Sequence, residues 1–121
     1  MNLASKLTFR DATTGQVTVF HYHTFYEMVI ACIVKYTGKS LEEARAITDH
    51  SFIVQQPPTD VLAAALLTHE YEYHWAMVLV YGEEYWNKYP AVSSTPPDDY
   101  FDWYDEYIAT HQLAAALLED E

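Results

Sequence analysis

Apolar and polar positions change their period along this chain, and each change marks an element. From Lys6 to His23 the period is two. Leu7 and Phe9 alternate with polar neighbours, and Val17, Val19 and His21 alternate with Thr18, Phe20 and Tyr22. That alternation predicts a β-hairpin over 6–23, turned at Asp11-Ala12-Thr13-Thr14-Gly15, where glycine supplies a positive φ. Two strands alone are marginally stable, so the hairpin is expected to pack on helices or to pair with another chain, for instance through a strand donated by a partner.

From Thr24 the period becomes helical. Thr24 and Glu27 have capping-box spacing, and the apolar run Met28–Val34 predicts a buried helix over 24–38 that stops at Gly38. Ser40 and Glu43 repeat the capping box ahead of a helix over 41–49. Phe52-Ile53-Val54 is expected as a short strand or an apolar tuck, ended by Pro57-Pro58. Thr59 or Asp60 then caps the longest apolar segment, read as one helix through Tyr81, with helical chain on to Lys88 (59–88) that either continues through Gly82 or breaks there. A loop over 90–97 leads into a last helix over 96–118, with residues 119–121 frayed. LAAALL occurs at Leu62–Leu67 and again at Leu113–Leu118, with unmatched flanks, and is read as repeated use of strong helix formers. The expected fold class is α+β, predominantly α. One domain over 1–121 packs a small N-terminal hairpin on a bundle of about four helices, with the 59–81 helix buried at its centre.

That central helix carries a polar insertion, His69-Glu70-Tyr71-Glu72-Tyr73-His74. At about 100° per residue, Leu62, Leu66, His69, Tyr73 and Val80 share an apolar stripe, Glu70 and His74 adjoin it, and Glu72 falls outermost. One reading is a metal site. Glu70 and His74, four apart, would chelate zinc or another divalent ion, with His21 and His23, two apart on a strand, as further ligands. The other is a hydrogen-bonded core network in which Glu70 accepts from His74 or from a tyrosine. His69 and His74 are five apart and diverge by about 140°, unlike the paired histidines of H-E-x-x-H, which favours the network.

Composition narrows the classes. Half of the 121 residues are apolar and 16% are aromatic, which excludes a disordered acidic chain. The sequence holds neither G-x-G-x-x-G nor a Walker loop, no EF-hand loop and no G-x-S-x-G around Ser93-Ser94. Cys32 is the sole cysteine, set in an apolar run, so it forms no intrachain disulfide and is expected as an inert buried thiol. The segment MNLASKLTF lacks an apolar leader core and the apolar runs are too short for a bilayer, so a cytoplasmic protein away from membranes is expected.

Charge changes the picture most. The net charge is −12, and it is uneven: residues 46–121 hold 14 acids against Lys88 alone. Such a surface repels nucleic acid and favours a positively charged partner, whether a basic protein, a cationic ligand or a metal ion. Asp98, Asp99, Asp102, Asp105 and Glu106 fall within an arc of about 120° on the last helix, bordered by Trp103 and Tyr107. Carboxylates there would steer a basic partner and the aromatics would anchor it. The expectation is therefore a non-enzymatic module that binds or inhibits a basic protein, as immunity proteins and nucleic-acid mimics do. The plainer alternative is a solvated helix face with its aromatics in the core. Two other classes stay open: a metal- or acid–base-dependent enzyme built on the His/Glu cluster, and a structural homo-oligomer joined through the aromatic surplus.

Overall fold

In the computed structural model, which describes residues 6–120, the predicted hairpin gains its third strand from the chain itself. β1 (Leu7–Arg10) pairs with β2 (Val17–Phe20) in the register Leu7↔Phe20 to Arg10↔Val17. The Asp11 carboxylate accepts the N–H groups of Thr13 and Thr14, both at 2.8 Å, and Gly15 takes φ 75° to return the chain. The free edge of β2 is covered by β3 (Leu118–Asp120), antiparallel, with Phe20 opposite Leu118. Residues 118–120 are therefore strand, where the last predicted helix was expected to end and fray.

α1 (Tyr22–Thr37) starts two residues before the predicted Thr24 cap, with His21 at its N-cap. Thr24 lies inside the helix, 3% exposed, and its hydroxyl accepts the Ala114 N–H at 3.0 Å. Glu27 turns to Arg45 instead, at 3.2 Å. Both members of that capping box are thus drawn away by tertiary partners. The box at Ser40 and Glu43 does form, with both bonds at 3.1 Å, and opens α2 (Leu41–Asp49). The Phe52 segment is one helical turn, α3 (Phe52–Gln55), not a strand.

The helical chain predicted over 59–88 is three helices: α4 (Val61–Thr68), α5 (Glu72–Tyr81) and α6 (Tyr85–Lys88). Asp60 caps α4 by accepting the Ala63 N–H at 2.8 Å. The break falls at His69-Glu70-Tyr71, where Tyr71 is extended (φ −65°, ψ 151°). One side chain takes over the Leu67 carbonyl, which the interrupted ladder leaves free, and the Thr68 hydroxyl bonds back to the turn behind it. The Trp75 indole N–H donates to the Leu67 carbonyl at 2.7 Å, and the Thr68 hydroxyl to the Ala64 carbonyl at 3.0 Å. The break also dissolves the predicted apolar stripe. Leu62 and Leu66 are 69% and 65% exposed, whereas Tyr73, Ala76 and Met77 are buried where α5 packs along α1.

The helix predicted over 96–118 is shorter, α7 (Tyr100–Thr110). It ends in a Schellman motif: Leu113 N–H donates to the Ile108 carbonyl at 3.0 Å and Gln112 N–H to the Ala109 carbonyl at 3.4 Å, with Gln112 at φ 56°. The first LAAALL is helical in α4; the second is irregular chain that leads into β3.

A continuous core joins Phe20 of β2, Phe25 and Val29 of α1, Ala44, Ile53, Tyr73, Met77, Tyr85 and Tyr100. Each large apolar side chain buried there contributes on the order of 1.5–3 kcal/mol. The fold is α+β and predominantly α, with seven helices and one antiparallel three-stranded sheet among the described residues. No helix among them is long and apolar enough to cross a membrane.

Candidate functional site

The break between α4 and α5 places a carboxylate indoors. Glu72, expected outermost on a continuous helix, is the first residue of α5 and only 3% exposed. A helix start favours negative charge, which helps to tolerate a carboxylate there. Its Oε2 accepts the hydroxyl of Tyr104 from α7. Burial pushes the Glu72 carboxyl up from 4.5 to about 7, and the Tyr104 bond opposes that rise. Behind it the fully buried Cys32 thiol is pushed up as well, by burial first and by the nearby Glu72 charge second. The ion pairs among the described residues are His21–Glu119, Lys35–Asp99 and Arg45–Glu27, so none of them neutralises Glu72.

Glu72 lines a cavity of about 270 Å³ between the helix break and α7. Tyr71 and Phe101, 50% and 52% exposed, also line it and meet edge to face at 5.3 Å. The buried Tyr100 ring lies 5.9 Å from Tyr71 and 5.2 Å from Phe101. Glu70 and Asp105, both exposed, contribute further negative charge to the lining. The site therefore combines aromatic walls with a carboxyl that gains or loses a proton near neutrality.

The acidic residues singled out in the sequence sit beside it. Asp98 and Asp99 precede α7, Asp102, Asp105 and Glu106 lie on it, and all five are exposed. Asp99 meets Lys35 at 3.4 Å. Trp103 is half-buried, with Tyr36 at 5.8 Å and Tyr107 at 5.5 Å, and its ring carries the Lys35 ammonium at 5.3 Å. It braces α7 against α1 as well as bordering the acids.

The structure does not gather the four residues considered as metal ligands into one group of three or more. Glu70 lies in the helix break. His74 stands in α5 with Nδ1 at 3.2 Å from the Tyr85 hydroxyl and its ring against Trp75. His21 meets Glu119 of β3 at 2.7 Å. His23 is exposed on α1 and lines a small cavity of about 170 Å³ with Glu27, Tyr107 and His111. β2 ends at Phe20, so strand alternation does not put His21 and His23 on one face. Among the described residues no three His, Cys, Asp or Glu side chains gather as a metal ion requires.

Sequence reasoning missed Glu72, Tyr100 and Tyr104 as a unit. Glu72 and Tyr104 are 32 residues apart, and no local spacing links them. The signal was the polar insertion itself, which marks the interruption of the helix. A larger cavity, about 530 Å³, lies under the 91–98 loop against Tyr36, Tyr73 and Tyr81, with Asp98 as its one carboxylate among the lining residues. No family model, no curated protein and no solved structure matches this chain.

Proposed function

We propose that this chain is a non-enzymatic interaction module that captures a basic protein and covers its cationic surface. One observation carries the reading: Asp98, Asp99, Asp102, Asp105 and Glu106 are all exposed along one short stretch of α7 and its approach. Lys35 at Asp99 is the one cation that meets them among the described residues. Uncompensated charge of this kind raises association rates with basic surfaces and sets the register of docking. Phe101, more than half exposed on the same helix, supplies apolar contact beside the charge. A reducing, cytoplasmic setting fits the free buried Cys32.

The test is capture from a lysate of the source cell on the immobilised full chain, compared with the D102K/D105K/E106K variant. Basic polypeptides held at about 0.05 M salt and released by about 0.5 M support the reading, because screening at that strength removes exposed charge pairs. The variant should retain at least about tenfold less. Equal capture by both proteins overturns it.

A further inference from the structure

The cavity at Glu72 has a chemistry of its own, and the role assigned to it rests on capture of a basic protein as proposed for α7. Its lining includes a carboxylate on a residue only 3% exposed. Among the described residues Tyr104 is the one side chain that donates to it, and no basic side chain pairs with it. The mouth holds two exposed rings, Tyr71 and Phe101. An anion would meet Glu70, Glu72 and Asp105 and be repelled. A neutral apolar group would leave Glu72 without a cation. A cation with a flat face satisfies both the rings and the acid.

We infer that this cavity is the anchor pocket for an arginine side chain of the basic partner, with the guanidinium paired to Glu72 and packed against the edge-to-face pair of Tyr71 and Phe101. Guanidinium suits the place better than ammonium. It is more weakly hydrated, so entering a 270 Å³ pocket strips less water from it, and its planar N–H fork matches a carboxylate. A quaternary ammonium has no N–H to give Glu72.

The titratable groups around Glu72 are Glu70 and Asp105 in the lining, Tyr100 and Tyr104 on α7, and Cys32 on α1. The tyrosines and the thiol are all pushed upward and stay neutral at neutral pH. The Glu72 carboxyl is displaced to about 7, so cation binding draws a proton off it and tightens as pH rises through that value.

The experiment is an NMR titration of the isotope-labelled full chain with acetyl-arginine-amide, its neutral citrulline counterpart and the lysine amide. Supporting results are shifts confined to residues 70–72 and 100–105, arginine amide bound at least about tenfold more tightly than the citrulline form, and about tenfold weaker binding at pH 5.5 than at pH 8.5. E72Q should lose about tenfold. Y71A and F101A change exposed residues and should each lose several-fold. Equal binding of arginine and citrulline amides, equal binding of the lysine amide, or unchanged affinity in the Tyr71 and Phe101 variants overturns the assignment. The lysate capture and this titration, run on the same protein, separate the two proposals. Arginine amide bound by a chain that captures no basic protein upholds the pocket and removes the capture reading; capture with no arginine binding does the reverse.

Discussion

Tyr104 donates its hydroxyl to Glu72 across 32 residues of chain, and this bond fastens α7 to the start of α5. Burial makes the acceptor titrate within the neutral range, so the joint is pH-dependent.

Stability should fall between about pH 4.5 and pH 7. The folded-state value of Glu72 lies near 7 against 4.5 for the free carboxyl, so the folded chain holds a proton that the unfolded chain has released. Its contribution is neutral below about 4.5 and grows unfavourable up to the folded value, reaching about 3 kcal/mol. E72Q should flatten that slope and raise stability at pH 8 by on the order of 1–3 kcal/mol. Urea unfolding at several pH values measures both; a slope unchanged in E72Q contradicts a role for this carboxyl.

Tyr104→Phe removes the donor. The loss should be larger at pH 8.5, where an ionised Glu72 is left with no hydrogen bond from a side chain, than at pH 5, where the carboxyl is neutral. The difference is expected at about 1–2 kcal/mol in the same unfolding experiment.

Gln112 stands at φ 56°, the left-handed position of the motif that ends α7. A side chain costs about 1–2 kcal/mol there, part of which glycine returns to the more flexible unfolded chain. Gln112→Gly should therefore raise stability by about 0.5–1 kcal/mol, read as an upward shift in the thermal midpoint. A lowered midpoint would contradict it.

Thr24→Val keeps the shape of the side chain but leaves the Ala114 N–H without its acceptor. The expected cost is about 1–2 kcal/mol, with faster amide exchange concentrated in residues 114–120. Exchange that speeds up evenly along the chain would argue against this tie.

Where both partners of an interaction lie within one turn, the sequence was readable. The Ser40–Glu43 box, the Asp60 cap and the Gly38 stop are local geometry, and each forms as expected. Thr24 and Glu27 have the same spacing as Ser40 and Glu43, yet Ala114 and Arg45 claim them. The two LAAALL copies separate for a related reason. A hexapeptide of helix formers stays helical behind the Asp60 cap, whereas after the Gln112 reversal its last leucine joins the strand that pairs with β2. At the site, the exposed acids of α7 followed from helical spacing. Glu72 did not, because its burial depends on a break that the Trp75 side chain spans and that no periodicity reveals.

The pairing of β3 with β2 also sets the order of assembly. Thr18 and Asp120 are 102 residues apart, and closing a loop of that length costs about 4 kcal/mol in chain entropy beyond a constant. The β1–β2 hairpin and the contact of α1 with α2 close far shorter loops and can form first. Strand β3 then docks late, onto a hairpin already resting on α1. Substitutions at Leu118 should accordingly speed unfolding while leaving the folding rate nearly unchanged, which places the barrier to the native state before the sheet is complete.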